Sequence, residues 1–200
     1  MAFQFNGSNQ YLSASQPVSA IPLTISIWFN KNSTATKNIL LFQGSSVTFG
    51  LYNNGSSLRH YTQGSGTADF TLGTFSSNTW NHAVFVASSS TSRFGALNGT
   101  ISATNTQSVT LWSFTSFSIA SGQDGYAAFD GALAEVGIWN TDLTAAEIAS
   151  LAKGITCNRV RPQSLVFYAP LVRDLIDQRG GRTITNNNGA TVANHPRIYP

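Results

Sequence analysis

The chain has 200 residues, of which 42% are hydrophobic and only 10% are charged. This apolar fraction is too high for an intrinsically disordered chain, and the length suits one large domain. Because charges are scarce, the polar surface must consist mainly of Ser, Thr, Asn and Gln, which favours a neutral, hydrogen-bonding surface.

The net charge of +3 is unevenly distributed, since residues 1–155 carry −1 and residues 156–200 carry +4. The C-terminal excess comes from six arginines, Arg159, Arg161, Arg173, Arg179, Arg182 and Arg197. Scattered surface arginines are usually solvated or locally paired, although an acidic partner also fits. No basic run alternates with aromatic residues, so we do not predict nucleic-acid binding.

Targeting and redox features are few. The single cysteine, Cys157, cannot form an intrachain disulfide. The N-terminal sequence MAFQFNGSNQ has neither a basic nor an apolar leader region. No apolar run is long enough to span a membrane. These features predict a protein that is made in a cytoplasm and does not bind membranes.

In chain order, residues 1–128 predict short strands joined by turns. The predicted elements are a strand around an Asn6-Gly7 turn, strands at 23–30 and 38–44, a hairpin at 47–61, a strand at 79–88, a hairpin at 93–103 and a strand at 111–122. Asn53-Asn54-Gly55 and Asn98-Gly99 supply the two hairpin turns. Strands at this spacing without intervening helices predict an all-β antiparallel sandwich.

Residues 132–139 predict a further strand, which is followed by one short helix near 144–153. Thr144 and Glu147 have the spacing of a capping box, in which each side chain accepts from the other residue's backbone NH. Leu143 and Ile148 are placed for a hydrophobic staple, and Gly154 stands where a helix usually ends. A helix this short needs to dock on the sandwich.

The late strand and helix resemble the concanavalin A-like jelly rolls of the laminin-G type. The matching motifs are Phe129-Asp130-Gly131, Ala134-Glu135-Val136, Ile138-Trp139 and the run from Leu143 to Ile148. Residues 3–13, 23–30, 78–86 and 96–100 resemble earlier motifs of the same family, in the family's order. The resemblance implies a jelly roll in which Trp28, Trp80 and Trp139 lie in the core.

The C-terminal tail departs from that order. Residues 164–192 resemble the segment that usually precedes the family's first strand. We therefore hypothesise a circular permutation, since domain termini often lie close together. In this hypothesis residues 1–200 form a single domain, and residues 156–200 dock back on the sandwich.

Many proteins with this fold hydrolyse glycosidic bonds, which requires two carboxylates flanking the bond. The chain has two glutamates: Glu147 is accounted for by the capping box, and Glu135 lies on the late strand. His60, His82 and His195 are not gathered in the sequence around a nucleophile. We therefore predict that the protein is not an enzyme.

The sequence offers weak candidates for calcium and better ones for sugar. Asp124, Asp130 and Asp177 could hold Ca²⁺ only if the fold brings them together, so we predict neither a metal nor another cofactor. Aromatic residues near turn-rich segments could instead stack on a sugar or contact a protein partner. These candidates are Tyr52, Tyr61, Trp112 and Tyr126.

The chain also resembles laminin-G-like proteins encoded among the virion structural proteins of tailed phages. That resemblance implies a capsid decoration or cement protein, or a tail or fibre accessory, present on the virion in many copies or as a homo-oligomer. Its partners would be other capsid or tail proteins, bound through protein-protein contacts. The alternative is a lectin-like adhesin for host glycans, and a third hypothesis is a glycoside hydrolase that depends on Glu135.

Overall fold

The computed structural model describes residues 1–45, 47–111, 113–122 and 127–199, which form two packed antiparallel sheets and one α-helix. The first sheet contains β1 (Ala2–Asn6), β3 (Leu23–Lys31), β8 (Trp80–Ser89), β9 (Ser92–Leu97), β10 (Thr100–Ile101), β12 (Asp130–Trp139), β13 (Leu165–Ala169) and β15 (Thr191–Ala193). The second sheet contains β2 (Tyr11–Ala14), β4 (Lys37–Gly44), β5 (Val47–Asn54), β6 (Ser57–Gln63), β7 (Thr67–Thr74), β11 (Ser116–Ile119) and β14 (Thr185–Asn187). The predicted all-β sandwich is confirmed. No helix among these residues is long and apolar enough to cross a membrane.

The strand order is β10-β9-β8-β3-β12-β1-β15 in the first sheet and β14-β2-β11-β4-β5-β6-β7 in the second. Side chains that alternate along each strand fill the space between the sheets. On β3, the inward row of Leu23, Ile25, Ile27 and Phe29 is fully buried. Burial of each such side chain stabilises the fold by about 1.5–3 kcal/mol.

The C-terminal tail contributes strands to both sheets. β13 pairs with β12 from Val136 to Trp139, whereas β1 pairs with the other half of the same β12 edge, from Asp130 to Leu133. β13 and β1 therefore lie end to end along one side of β12. β15 pairs with β1, where Ala193 lies opposite Ala2, and β14 pairs with β2. This placement is the one that the permutation hypothesis requires; the hypothesis itself stays a prediction.

The helix α1 (Ala145–Ala152) begins with the predicted capping box. The Thr144 hydroxyl accepts from the backbone NH of Glu147, and the Glu147 carboxylate accepts from the backbone NH of Thr144 at 2.7 Å. Ile148 and Leu151 pack on the outer face of the first sheet against Trp139. The Trp139 indole NH donates to the carbonyl of Val160 at 2.8 Å, and this contact fastens the start of the tail beside the helix.

Two sequence-based predictions are wrong in detail. Trp139 is fully buried, but Trp28 and Trp80 are only partly buried on the outer face of the first sheet, where the neighbouring Ala2, Ala132 and Ala134 are too small to cover them. Of the described residues in the strand predicted at 111–122, Ser116–Ile119 form β11; the backbone NH of Phe114 bonds to the loop carbonyl of Ser19, and Ala120 has a φ of +73°, so neither continues the strand.

Candidate functional site

The outer face of β4, β5, β6 and β7 holds a hollow of about 430 Å³, which we call the sheet hollow. Alternation along these strands sends apolar side chains inward and polar or aromatic ones outward. The described lining consists of Thr36, Asn38, Leu41, Gln43, Thr48, Tyr52, Tyr61, Asp69 and Ala127. Its volume falls within the range of about 300–1,000 Å³ that is common for small-ligand sites.

A glycine leaves space in the middle of this face. In the register of the sheet, Gly50 lies between Leu41 on β4 and Tyr61 on β6. A Cβ atom at Gly50 would overlap the Leu40 carbonyl oxygen and the Leu41 side chain. The close approach of β4 therefore requires glycine at this position, and Gly50 contributes no side chain to the sheet hollow.

Two tyrosines form the aromatic part of the sheet hollow. The rings of Tyr52 on β5 and Tyr61 on β6 lie 6.5 Å apart at an interplanar angle of 87°. Both residues are partly exposed. An edge-to-face pair of this kind is held by the ring quadrupoles, and the exposed part of the two rings gives the sheet hollow an apolar surface.

A charged network holds the polar side of the sheet hollow. The Tyr52 hydroxyl donates to both oxygens of Asp69, at 2.9 and 2.8 Å. The Arg59 Nε donates to Asp69 Oδ1 at 2.9 Å and to the Tyr52 hydroxyl at 3.0 Å, while Nη1 donates to the Thr71 hydroxyl at 2.9 Å. Three strands are tied together by these contacts, because Asp69 and Thr71 lie on β7.

The pKa values of the network reflect this mutual engagement. Partial burial and the hydrogen bond to Asp69 raise the pKa of Tyr52. Burial would lower the pKa of Arg59, but its hydrogen bonds to Asp69 and Tyr52 raise it overall. At neutral pH the phenol is therefore a proton donor and the guanidinium is charged.

The structure brings together two of the four predicted contact residues, Tyr52 and Tyr61. Trp112 and Tyr126 lie outside the described residues. The sequence analysis missed Asp69, since no strand was assigned at 67–74. The sequence does carry the pattern of a β-strand there, because Ala68, Phe70 and Leu72 alternate with polar residues.

The calcium candidates do not converge among the described residues. Asp130 begins β12 opposite Asn6 and accepts from the Asn32 amide at 3.0 Å. Asp177 accepts from the backbone NH of Tyr168, and Tyr168 pairs with Gly137. Gly137 lies roughly 20 Å from Asp130 along β12. Asp124 lies outside the described residues. Within the described ranges, no group of three His, Cys, Asp or Glu side chains could hold a metal ion.

Glu135 lies in a second depression of about 420 Å³, the tail hollow, between β12, β13 and residues 195–198. It occupies an irregularity of β12 and has a φ of +54°, a strained conformation for a residue other than glycine. Its carboxylate is nearly inaccessible and accepts from the Tyr168 hydroxyl at 2.7 Å, while His195 Nε2 lies 3.3 Å from Oε1. Two tail residues thus occupy the carboxylate that the hydrolase hypothesis would use.

The other two histidines, His60 and His82, lie apart from His195 and from each other. His60 is buried in the core, and burial lowers its pKa well below the usual range. His82 Nε2 lies 2.9 Å from the Ser26 hydroxyl, a pairing that the sequence analysis did not foresee. Both partners are buried, so a substrate cannot reach them. Burial also lowers the pKa of His82 to about 3.

Comparison with known proteins places residues 6–149 in a laminin-G-type family model described as the concanavalin A-like lectin/glucanases superfamily. No curated protein matches the sequence. A heptameric SAP-like pentraxin from Limulus polyphemus superimposes with a TM-score of 0.72 at 17% identity, over 97% of this chain and 94% of the pentraxin. The match therefore takes in most of the C-terminal tail.

Two further structures with this fold are described in terms of carbohydrate. A putative carbohydrate binding protein from Bacteroides ovatus superimposes with a TM-score of 0.72 at 19% identity, over 99% of this chain and 61% of that protein. Domain 4 of the extracellular arabinanase AbnA from Geobacillus stearothermophilus, solved with arabinotriose, gives a TM-score of 0.62 at 18% identity and covers 76% of each chain. At these identities the likeness establishes the fold alone.

Proposed function

The chain belongs to the concanavalin A-like lectin/glucanases superfamily, and on that premise we propose that it is a non-enzymatic, lectin-like protein that binds carbohydrate in the sheet hollow. The observation that carries the proposal is the partly exposed Tyr52–Tyr61 pair beside the Asp69 carboxylate. An aromatic face beside fixed hydrogen-bonding groups provides the two kinds of contact that a sugar requires.

The chemistry of a sugar matches both parts of the site. The C–H face of a pyranose or furanose ring is apolar and can pack on the exposed surface of Tyr61. Hydroxyl groups at the ring edge can donate to Asp69.

The similar structures support the proposal at the level of fold. Two of them are described in terms of carbohydrate, and a fold that has accommodated sugars raises the expectation for this chain without identifying a site.

Titration against a panel of saccharides tests the proposal. Tyr61→Ala should weaken binding about tenfold or more, which corresponds to about 1.4 kcal/mol, whereas Tyr61→Phe should retain affinity because it keeps the ring. Tyr199→Ala, which removes an exposed tail tyrosine, is the matched control and should change nothing. Equal affinity of Tyr61→Ala and the unaltered chain, or no saccharide binding at all, would contradict the proposal.

The absence of catalysis is part of the proposal. Asp69 is the single carboxylate in the described lining of the sheet hollow, whereas glycoside hydrolysis uses a pair. Turnover of a polysaccharide that is abolished by Glu135→Gln would overturn this part and restore the hydrolase hypothesis.

The placement on a virion, the capsid or tail partners and the multi-copy assembly stay predictions from the sequence resemblance. Co-sedimentation of the protein with capsids, or a gene neighbourhood of virion structural genes, tests them. Carbohydrate binding is compatible with such a location, since an adhesin on a particle would do both.

A further inference from the structure

The charges around the sheet hollow are arranged asymmetrically. Asp69 is the one ionised side chain in its described lining, and its side chain is 36% exposed. The compensating cation, Arg59, lies beside the sheet hollow and is not part of its lining. A ligand in the sheet hollow therefore meets the anion first.

Arg59 is held by its neighbours. Its Nε donates to Asp69 and Tyr52, and its Nη1 donates to Thr71. These contacts, which are charge-assisted at Asp69, hold the guanidinium beside Asp69 and outside the described lining of the sheet hollow. The Arg59 guanidinium therefore offsets the charge of Asp69 and orients it, and it is not among the groups that the described lining presents to a second carboxylate.

Asp69 retains the capacity to accept. A carboxylate offers about four lone-pair positions. Oδ1 accepts from both the Tyr52 hydroxyl and the Arg59 Nε, so both of its lone-pair positions are used. Among the described contacts, Oδ2 accepts only from the Tyr52 hydroxyl, which it shares with Oδ1. Oδ2 can therefore accept a sugar hydroxyl, and a hydrogen bond to an ionised acceptor is stronger than a neutral one.

From this arrangement we infer that the sheet hollow is selective for uncharged saccharides over acidic ones, with Asp69 as the residue that determines the preference. The inference rests on the proposed function, because it assigns the ligand class of the same site. A uronic acid or a sialylated sugar would bring a second anion beside Asp69, and like charges brought together at a binding surface disfavour the complex.

The preference is measured with matched ligands, such as galactose and galacturonic acid, or lactose and sialyllactose, titrated against the whole chain at low ionic strength. The neutral member of each pair should bind at least tenfold more tightly. The difference should shrink as salt is added, because screening weakens interactions between exposed charges.

Asp69→Asn is the decisive variant, since it keeps the shape of the side chain and removes the charge. It should weaken binding of the neutral sugar several-fold and strengthen binding of the acidic one, because Arg59 is left without its counter-ion. Asp174→Asn removes an exposed charge on the loop after β13 and should leave both affinities unchanged. Thermal unfolding of each variant checks that it is folded.

The two levels of the hypothesis fail differently. Tighter binding of the acidic member by the unaltered chain, or an unchanged preference in a folded Asp69→Asn, overturns the selectivity while carbohydrate binding stands. No binding of either class overturns the proposed function together with the selectivity.

Discussion

The phenol of Tyr168 donates a 2.7 Å hydrogen bond to the buried Oε2 of Glu135. This contact joins β13, near the end of the chain, to the irregularity in β12. His195 approaches the other carboxylate oxygen at 3.3 Å. A single strained residue in the first sheet is thus the anchor for two separate segments of the tail.

Tyr168→Phe should lower the free energy of unfolding by about 1–3 kcal/mol, because it leaves a buried carboxylate oxygen without its donor. Burial and the neighbouring Glu135 charge raise the pKa of Tyr168, so the phenol is protonated and donates throughout the usual pH range. Urea denaturation measures the change. Tyr199→Phe, at a residue that is 45% exposed, is the control and should be nearly neutral. If Tyr168→Phe and Tyr199→Phe were equally stable, the hydrogen bond from Tyr168 to Glu135 would not be an anchor of the tail.

Asp177→Asn should destabilise the protein and flatten its acid denaturation. Burial would raise the pKa of Asp177, but the backbone NH groups of Gly180, Tyr168 and Arg179, together with the Arg182 guanidinium, lower it overall from its usual 3.8. The ionised form is therefore favoured in the folded state. Its stabilisation is complete above the unfolded pKa near 3.8 and is lost as the pH falls through the lower, folded value.

At neutral pH Asp177→Asn should lower the free energy of unfolding by about 2–4 kcal/mol, because Arg182 and three backbone NH groups lose the buried anion to which they donate. Unfolding free energies measured between pH 2 and 7 test both the size and the slope. An acid transition as steep as that of the unaltered chain would show that Asp177 is not responsible.

Lys31→Met should stabilise the protein at neutral pH by roughly 2 kcal/mol, because it removes a buried charge. The side chain is fully buried, its Nζ has no hydrogen-bond partner among the described residues, and it lies 5.2 Å from the centre of the Phe129 ring. Burial lowers the pKa of Lys31 to about 8, although Asp130 opposes this.

The sign of the pH dependence follows from that lowered pKa. Between about pH 8 and the usual 10.5, the unfolded chain binds a proton that the folded chain does not, so stability rises with pH across this window. Lys31→Met should remove the rise. Stability curves of the two proteins that run parallel from pH 7 to 10 would contradict the assignment.

Thr144→Ala should cost about 1 kcal/mol, because it removes the capping hydroxyl from the start of α1. Thr144→Ser keeps the hydroxyl and should stay within 0.5 kcal/mol of the unaltered chain. Amide hydrogen exchange in the first turn of α1 should accelerate in the alanine variant alone. Equal effects of the two substitutions would mean that the box is not stabilising.

Deletion of residues 160–200 should prevent folding. The truncated chain loses β13, β14 and β15, and with them the partner of the Val136–Trp139 edge. Removal of that partner exposes unpaired backbone groups and buried apolar side chains, so the product should be insoluble. Soluble expression and circular dichroism measure the result; a stable, folded fragment 1–159 would show that the tail is dispensable.

Features encoded locally could be predicted from the sequence. The capping box needs only residues 144–147, and the Asn53-Asn54-Gly55 and Asn98-Gly99 turns need only a few residues each. Alternation also assigns Tyr52 and Tyr61 to outward positions. Each of these follows from propensities and spacings that act within one turn or hairpin.

Features that depend on strand neighbours could not be predicted in the same way. The network of Asp69, Arg59 and Tyr52 requires the register of three strands, which no single segment of sequence specifies. Alternation shows that Trp28 points away from its neighbours Ile27 and Phe29, but it does not show whether another layer covers that face. Among the described residues, Trp28 stays partly exposed above small alanines, whereas α1 covers the part of the same face around Trp139.

The division of one β12 edge between β1 and β13 has a consequence for synthesis on the ribosome. The Asp130–Leu133 half finds its partner in β1, which is made before β12, whereas the Val136–Trp139 half must wait for residues 165–169. During that interval the nascent chain carries an open strand edge beside an incomplete core, which is the condition under which chains associate wrongly. The time taken to synthesise the stretch from Asn140 to Ser164 therefore sets how long this strand edge stays unpaired and able to associate with other chains.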